Sequence, residues 1–584
     1  MKSSIKWVKS YLKPYRFGWF WASLLTVIIA LTNVITPYIG GTIVDQVILN
    51  NRTDWLLPLL GLMIAVTITR MTLRYIYQIQ FEQISQNVLF QIREDLYVKL
   101  QELDFTFFNT TRVGDIMARM TGDTDAVRHA VAWAYYNILD HAVLFISALI
   151  FLGAIEWRLT LALLVVTPFI AVFTVLLSRH AGQAFYQIRE SFSRLNTVVE
   201  EHIGGNKVVR AFVREDFEIE KFNRFNEDFR QRNLDSAAIS AKYLPIIEVF
   251  AGFLSIITVG LGGLFVINES MSLGDLVTFN GLIWMLNVPM RSLGNHVNDL
   301  QNFDASTQKI RQMLAVKPQI PIEQRIEVPR LQGDITFENV SFAFSDEPEV
   351  DVLHDINFSI KAGETLGVLG ETGSGKSTLV NLISRFFDPT AGRVLIDGID
   401  IKEMNVLNLR QQIAVVMQDV FLFSDTIKHN IMYGAPRVPF QRVQKVAQVA
   451  DASQFIERMP DQYDTYLGER GSGLSGGQKQ RLSLARGLIK DPAILILDDT
   501  TSAVDMETEV KIQEGLRQTS GQQTTVIIAN RISSVKNADK IIILSKGRIV
   551  ERGTHQGLLE KGGLYYQIYQ EQLGQAEVGE EDGI

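Results

Sequence analysis

A glycine-rich octapeptide in the second half of the chain has the composition of a phosphate-binding loop. It reads Gly370-Glu371-Thr372-Gly373-Ser374-Gly375-Lys376-Ser377, is followed by Thr378, and lies between a predicted strand and a predicted helix. Glycines let backbone N–H groups curl around phosphate oxygens, and the N-terminus of the helix adds positive potential. We expect Lys376 to reach the outer phosphates of a nucleotide and the Ser377 hydroxyl to bind Mg²⁺.

A carboxylate suited to the same metal ion follows about 120 residues later. The apolar run AILILD, which predicts a buried strand, ends at Asp498. In nucleotide-hydrolysing sites an aspartate at the end of such a strand holds Mg²⁺ through water. The sequence therefore predicts ATP and Mg²⁺ as ligands, with Ser377 and Asp498 on the metal.

A third motif identifies the family. The segment Leu474-Ser475-Gly476-Gly477-Gln478, followed by KQRLSLARGL and then the aspartate strand, resembles the signature of ATP-binding-cassette (ABC) proteins. In that family the signature serine, glycines and glutamine cap a nucleotide held by an opposing cassette, so that two cassettes enclose two ATP molecules. The resemblance implies that this chain needs a second ABC half-transporter as its partner.

Other positions match the same family residue by residue. Gln418, in VVMQDVFLF, resembles the glutamine that links the nucleotide site to the membrane domain, and we assign it to Mg²⁺ and to a supporting role in catalysis. Phe344 occupies the place of an aromatic ring that stacks on adenine, although tyrosine is commoner there. Glu469-Arg470-Gly471 resembles the exporter segment that contacts the coupling helices, and Ser502-Ala503-Val504-Asp505 resembles the loop that touches the partner cassette.

Two catalytic positions depart from the family pattern. Asp499 stands where the family has the glutamate that polarises the attacking water, and its side chain is one methylene shorter. Asn530 stands where the family has a switch histidine, and an amide cannot take on a proton near neutral pH. A single substitution of this kind could be drift without consequence. Two in one catalytic centre predict a site that binds Mg-ATP and hydrolyses it slowly or not at all.

The elements that must position these residues form a separate domain. Beyond residue 332, short β-branched runs alternate with helical segments, which predicts an α/β P-loop NTPase domain with a largely parallel sheet. The proline-rich stretch VKPQIPIEQRIEVPRLQ predicts an extended linker. We therefore divide the chain into a transmembrane domain (1–315), a linker (316–332), an ABC domain (333–572) and a flexible acidic tail (573–584).

The first half contains six apolar stretches long enough to cross a bilayer. They lie at about 17–44, 54–77, 134–155, 159–179, 243–268 and 274–296. The short loops between them hold two basic residues, whereas the N-terminus and the two long loops hold about twenty. By the positive-inside rule both termini are cytoplasmic. The predicted fold is an all-α six-helix transmembrane domain fused to the ABC domain, in a bacterial cytoplasmic membrane.

The two long loops keep helical periodicity, so we expect the spanning helices to continue beyond the bilayer. Glycines predict a break in each loop, at Arg112-Val113-Gly114-Asp115 and at Ile203-Gly204-Gly205-Asn206. A short helix across each loop tip would fit these breaks. Ordinary turns at the glycines are the alternative.

Composition excludes several classes of function. The net charge of −8 comes without a basic stripe of the kind that follows a phosphate backbone, so nucleic acid is not an expected partner. The absence of cysteine excludes disulfides, thiolate metal sites and a cysteine nucleophile. The basic N-terminus precedes an apolar run without a cleavage site, which predicts a retained anchor and not a signal peptide.

The layout resembles the half-transporters that export drugs and lipids, and the altered site resembles the degenerate-site subunit of bacterial heterodimeric multidrug exporters. Hydrophobic, amphipathic or cationic small molecules are the expected substrates. A lipid or peptide exporter of the same architecture, or an ATP-gated regulatory membrane protein, is the alternative. Within the spans, Glu248 either pairs with a cationic substrate or bonds within the bundle, Asp140 and His141 lie near a span end, and four aromatic residues either line a cavity or pack: Phe250, Phe253, Phe279 and Trp284.

Overall fold

The computed structural model describes residues 1–320, 326–500, 506–519 and 523–581, without the side chains of 506, 518, 519 and 573–581. The chain divides into two compact units. Met1–Gln101 and Val113–Val316 form the first, which we call the helical unit. Glu102–Arg112 and Lys317–Ile584 form the second, which we call the cassette unit.

Long α-helices make up the helical unit. In chain order the helices of the first 315 residues are α1 Lys2–Leu12, α2 Arg16–Thr32, α3 Ile35–Thr42, α4 Leu56–Glu102, α5 Phe105–Thr110, α6 Val113–Ala118, α7 Thr124–His129, α8 Tyr135–Ile155, α9 Trp157–Ala211, α10 Glu215–Ile267 and α11 Leu273–Ala315. Short 3₁₀ segments lie at Lys13–Tyr15 and Thr53–Trp55, and π-helical segments at Ile43–Leu49, Arg119–Asp123 and Ala130–Ala134. Of the eleven α-helices, α5 lies in the cassette unit.

Five described helical runs are long and apolar enough to cross a membrane. They are Lys2–Leu49, Thr53–Glu102, Val113–Ile155, Trp157–Ala211 and Glu215–Ile267. Each overlaps one of the first five predicted spans and extends beyond it. The prediction that the spanning helices continue past the bilayer is therefore confirmed in their lengths.

The sixth predicted span is a helix, α11, but it falls short of the other five in apolarity. Part of its apolar surface faces protein: Phe279, Leu282 and Leu286 are fully buried in the helical core. A helix that packs inside a bundle needs less apolar surface than one surrounded by lipid.

The two long loops turn differently from each other. In the first, the short helix α5 precedes the predicted break, and a new helix begins at Val113. In the second, the predicted break at Gly204 and Gly205 is wrong, because α9 continues through both glycines to Ala211. The chain turns instead at 212–214, where Val213 has a φ of 50°. Two helical glycines cost about 1 kcal/mol each, which a helix of this length tolerates.

The cassette unit contains two β-sheets. Its strands are β1 Ile335–Ala343, β2 Asp351–Ile360, β3 Thr365–Gly370, β4 Ala391–Ile396, β5 Ile399–Asp400, β6 Ile413–Val416, β7 Ile494–Asp498, β8 Thr524–Ile528, β9 Lys540–Ser545 and β10 Arg548–Gly553. The smaller sheet has the order β2-β1-β4-β5 and is antiparallel. The larger has the order β10-β9-β3-β8-β7-β6 and is parallel except for β10. The predicted α/β domain is thus confirmed.

The remaining helices surround the larger sheet. They are α12 Lys376–Ile383, α13 Val406–Gln412, α14 Ile427–Met432, α15 Phe440–Val449, α16 Ser453–Glu457, α17 Gly476–Leu488, α18 Met506–Thr519, α19 Ile532–Val535, α20 His555–Lys561 and α21 Leu564–Glu581. Strands β3, β7 and β9 are almost entirely buried, as expected for a parallel sheet covered on both faces. Helix α21 enters the stretch 573–584 and ends at Glu581.

Candidate functional site

Four neighbouring strands of the larger sheet deliver the predicted nucleotide-site residues to one edge. The glycine-rich loop follows β3, Asn530 follows β8, Asp499 follows β7, and Gln418 follows β6. In open parallel sheets, ligands bind outside the carboxyl ends of the strands. Residues separated by more than 150 positions in sequence therefore meet at one place.

The glycine-rich loop has the backbone shape that its composition predicts. Gly373 and Gly375 have φ values of 82° and 101°, in the left-handed region that favours glycine. The Lys376 ammonium donates to the carbonyl oxygens of Gly370 at 2.6 Å and of Glu371 at 2.8 Å. Burial lowers the pKa of Lys376, while the neighbouring carboxylates act in the opposite direction. The cation is thus held inside the loop.

The loop fits a phosphate group. The Ser374 hydroxyl is buried and has no hydrogen-bond partner among the described residues. A Cβ at Gly375 would lie 2.8 Å from the Leu353 side chain, so only glycine leaves the loop free to curl. An unpaired buried hydroxyl is costly, and a phosphate oxygen would satisfy it.

Asp498 and Ser377 lie together, as the metal prediction requires. Burial raises the pKa of Asp498, and a hydrogen bond from Ser377 lowers it. Within the described ranges no three His, Cys, Asp or Glu residues form a metal cluster. A Mg²⁺ ion here would therefore depend on the Ser377 hydroxyl, the Asp498 carboxylate, the Gln418 amide oxygen and phosphate oxygens, which are the hard oxygen ligands it prefers.

Asp499 and Asn530, the two residues that depart from the family pattern, are in contact with each other. The Asn530 amide donates to Asp499 Oδ2 at 3.2 Å, and the Gln418 amide approaches the same oxygen at 3.5 Å. Asp499 is 8% exposed and has a φ of 47°. The structure thus brings all three predicted catalytic residues together, and the Asn530 amide contacts the carboxylate where the family pattern would place an imidazole.

The signature lies at the start of a 13-residue helix, α17. Ser475 is its N-cap: the Gln478 backbone N–H donates to Ser475 Oγ at 3.3 Å, and the Ser475 N–H donates to Gln478 Oε1 at 3.0 Å. Ser475 and Gly476 are exposed, whereas Gly477 is partly buried. Exposed N–H groups at a helix N-terminus favour a negatively charged ligand.

Of the remaining predicted site residues, Thr372 and Thr378 belong to the phosphate loop and the helix after it, and Phe344 follows β1. The Phe344 ring packs edge to face on Phe342 and Phe387, with centroids 5.0 and 5.5 Å apart. Thr378 lies in the first turn of α12 and Thr372 is exposed in the loop. The exporter segment forms a 3₁₀ turn at Glu469–Gly471. Residues 502–505, the predicted partner-contacting loop, lie outside the described residues.

A buried carboxylate behind the site was not predicted. Glu509, on α18, is 3% exposed and accepts a hydrogen bond from the Ser534 hydroxyl at 2.5 Å. Ser534 lies on α19, four residues after Asn530. The sequence gives no motif for this contact, because it joins two helices that are adjacent only after folding.

The short helix α5 packs within the cassette unit. The Phe105 ring lies 4.6 Å from Phe386, and the Gln319 backbone N–H donates to Asp104. A cavity of about 380 Å³ lies between α5 and the loop that carries Phe344.

The ionisable candidates within the spans have partners in the helical unit. The two Arg291 guanidinium nitrogens donate to the Glu248 carboxylate at 2.7 and 2.8 Å. His141 Nδ1 lies 2.9 Å from His296 Nε2, and Asp140 is partly buried. Of the two alternatives for Glu248, bonding within the bundle is the one observed.

The four aromatic candidates divide between packing and exposure. Phe279 is fully buried, and Phe250 stacks on Phe169 at 5.2 Å. Phe253 and Trp284 are 43% and 41% exposed.

Comparisons with known proteins cover most of the chain. The profile of the ABC transporter transmembrane region matches residues 19–290, and that of the ABC transporter matches residues 353–502. The uncharacterized ABC transporter ATP-binding protein YknU of Bacillus subtilis (strain 168) is 36% identical over 567 residues, which cover 97% of each chain. An ATP-dependent lipid A-core flippase of Syntrophus aciditrophicus (strain SB) is 34% identical over 540 residues, 92% of this chain and 89% of that protein.

The fold also matches a solved structure. A bacterial Atm1-family ABC exporter with ATP bound superposes with a TM-score of 0.80 and 25% identity, covering 95% of this chain and 99% of the exporter.

Proposed function

The chain belongs to the ABC transporter family, and we propose that it is one half of an asymmetric heterodimeric exporter whose own nucleotide site retains ATP and hydrolyses it slowly. ABC exporter activity, driven by ATP hydrolysis in a multi-pass membrane protein, follows from the family and from the fused helical and cassette units. The asymmetry and the slow site are the proposed part.

The observation that carries the proposal is the pair of amides on Asp499. Asn530 and Gln418 both donate toward one carboxylate oxygen, so the lone pairs of that oxygen are already engaged in hydrogen bonds and are less available to the attacking water. The side chain is also one methylene short of glutamate. Displacing a catalytic group by about 1 Å costs on the order of a hundredfold in rate. Asn530 adds no positive charge near the phosphate that is transferred.

The residues that would bind ATP are all present, which supports the proposal that this site retains its nucleotide. Lys376, the Ser374 hydroxyl and the loop N–H groups would hold the phosphates, and Ser377 with Asp498 and Gln418 would hold Mg²⁺. The metal, when bound, neutralises charge on the phosphates. Phe344 would stack on the adenine.

The exposed signature supports a dimer. Ser475 and Gly476 lie at the N-terminus of α17, and a phosphate from a second cassette would complete that anion site. This chain therefore supplies an intact signature to its partner, whose own phosphate loop and glutamate perform the faster hydrolysis.

Hydrophobic or amphipathic small molecules, including cations, are the proposed substrates. Phe253 and Trp284 offer exposed aromatic surface on two spans. A cation would have to compete with Arg291 for Glu248. Lipid export is the second candidate, favoured by the relative named as a lipid A-core flippase. Stimulation of ATPase activity in vesicles by drugs, compared with movement of a fluorescent lipid, distinguishes the two.

The test of the slow site uses the purified full chain alone. It should bind ATP, and most of the retained nucleotide should be recovered as ATP after rapid gel filtration, with little phosphate released. Lys376→Ala is the control that loses binding. Brisk hydrolysis by the chain alone would refute the proposal. Adding the partner subunit should restore hydrolysis, and Ser475→Ala in this chain should abolish the gain.

A further inference from the structure

The carboxylate of Glu509 is buried in the cassette unit and takes no part in the proposed ATP contacts. It accepts a hydrogen bond from the Ser534 hydroxyl at 2.5 Å, and the Ser533 hydroxyl approaches it at 3.5 Å. Glu509 is 3% exposed and Ser534 is 5% exposed. A buried carboxylate is costly unless donors satisfy it, so the position of Glu509 is tied to that of the Ser534 hydroxyl.

The bond between Glu509 and Ser534 joins two helices. Glu509 lies in the first turn of α18, where the helix dipole favours a negative charge. Ser534 lies in α19, which begins at Ile532, two residues after Asn530 (532 − 530). The hydrogen bond therefore fixes the helix that directly follows Asn530 against α18.

A second side chain, that of Gln572 on α21, holds the same segment. Its amide nitrogen donates to the Asn530 carbonyl oxygen at 2.9 Å, and its amide oxygen accepts from the Ile532 backbone N–H at 2.9 Å. The donor and the acceptor of one amide are thus both used on the main chain, on either side of Arg531. This pair of bonds fixes the orientation of the main chain that carries the Asn530 side chain.

Helix α21 is itself anchored in the cassette unit. The Tyr565 backbone N–H donates to the Glu551 carboxylate at 3.1 Å. The Tyr565 side chain is fully buried, in the same apolar cluster as Ile532. Gln572 follows Tyr565 by seven residues (572 − 565), so the two side chains lie on the same face of the helix. Gln572 is therefore held on a helix whose position is already fixed.

The side chain of Asn530 lies in the nucleotide site. Its amide donates to Asp499 Oδ2 at 3.2 Å. Burial lowers the pKa of Lys376 and the charge of Asp499 acts in the opposite direction, so this carboxylate lies near the lysine that is expected to reach the outer phosphates. An amide held there has an N–H to donate to the terminal phosphate of ATP, which ADP lacks. The position of Asn530 should therefore affect the binding of ATP more than that of ADP.

We propose that Glu509 and Gln572 are positioning residues that hold the Asn530 amide at the terminal phosphate of bound ATP. Glu509 acts through the Ser534 hydroxyl, and Gln572 acts through the main chain on either side of Arg531. Their role rests on the proposed nucleotide site, whether or not hydrolysis there is slow.

The test compares the affinities of the purified full chain for two nucleotides. The β,γ-imido analogue of ATP is used because it keeps the terminal phosphate and is not hydrolysed, and its Kd and that of ADP are measured with Mg²⁺ by calorimetry. Asn530→Ala should lower the preference for the analogue over ADP about tenfold, since one hydrogen bond to a charged group is lost. Glu509→Ala and Gln572→Ala should each lower that preference several-fold.

A double-mutant cycle separates positioning from a loss of stability. In the Asn530→Ala background, Glu509→Ala and Gln572→Ala should change the preference no further, because no amide remains to be positioned. Glu509→Gln keeps an acceptor oxygen for the Ser534 hydroxyl and should preserve the native preference.

Asp397→Ala is the structural control. Asp397 accepts from three backbone N–H groups beside the start of β8, whereas Asn530 follows the end of that strand. Its loss should lower the Tm and leave the preference between the two nucleotides unchanged.

Several results would overturn the proposal. One is an equal loss of affinity for both nucleotides in Glu509→Ala and Gln572→Ala, and another is a change that adds fully to that of Asn530→Ala. A native preference in Asn530→Ala or in Gln572→Ala would overturn it as well. If Glu509→Ala does not fold, Gln572→Ala decides, because Gln572 is only partly buried. Brisk ATP hydrolysis by the native chain would contradict the slow site alone and would leave these affinities unaffected.

Discussion

Restoring the family's two catalytic side chains should convert the slow site into a faster one. Asp499→Glu extends the carboxylate by one methylene, about 1.5 Å. Since a misplacement of about 1 Å costs on the order of a hundredfold, the extension should recover a factor of that order, or about 2.7 kcal/mol of activation free energy. The single variant should recover less, because the Asn530 amide, 3.2 Å from the present carboxylate, still occupies the space of the histidine. Asp499→Glu combined with Asn530→His should give the full gain.

The assay is phosphate release by the purified full chain in lipid nanodiscs at saturating Mg-ATP. Asp499→Asn, which keeps the size of the side chain and removes its charge, is the matched control and should stay at or below the native rate. Lys376→Ala measures the background. The double variant should also acquire a pH dependence near the ordinary histidine pKa of about 6.5, which an asparagine cannot provide.

One result would refute the reasoning about Asp499. If the double variant binds ATP as tightly as the native chain and hydrolyses it no faster, the shortened carboxylate and the amide are not what limits the site. A native chain that already hydrolyses ATP as fast as the double variant would contradict the reasoning about Asp499 equally.

Three further predictions concern packing and binding. Gly41→Ala should lower the Tm of the purified protein by about 2–6 °C, because the new Cβ would lie 2.2 Å from a backbone oxygen of α11. The control is Gly40→Ala, whose Cβ would have nothing within 4 Å and which should leave the Tm unchanged or raise it. Asp45→Ala should cost about 1–3 kcal/mol of stability in thermal unfolding, because the carboxylate accepts from a hydroxyl and a backbone N–H at the start of α11; the same change at the exposed Asp54 should cost little. Phe344→Ala should weaken ATP binding about tenfold in a titration while Phe344→Tyr preserves it; equal affinity of all three proteins would exclude stacking on adenine.

Much of the nucleotide site was predictable because its parts are local. The phosphate loop is eight consecutive residues whose backbone shape depends on their own dihedral angles, and Gly373 and Gly375 have the left-handed φ values that only glycine adopts freely. The signature is likewise a single N-capped helix start, with Ser475 and Gln478 bonded to each other.

Other parts of the fold could not be predicted from the sequence. The glycine pair at 204–205 predicted a turn that the structure places at 212–214. Residues with good helix propensity on both sides of the two glycines keep the helix intact, so the glycines alone place the end of α9 too early.

The sequence by itself determined which chemistry the chain carries: the phosphate loop, the signature, the shortened Asp499, and spans whose apolar length requires a membrane. These properties reside in consecutive residues or in summed hydropathy. Only the tertiary structure decided that Asn530 and Gln418 both reach Asp499, and that Arg291 pairs with Glu248. Each of these contacts joins residues far apart in sequence, and sheet order and helix packing alone determine which distant side chains meet.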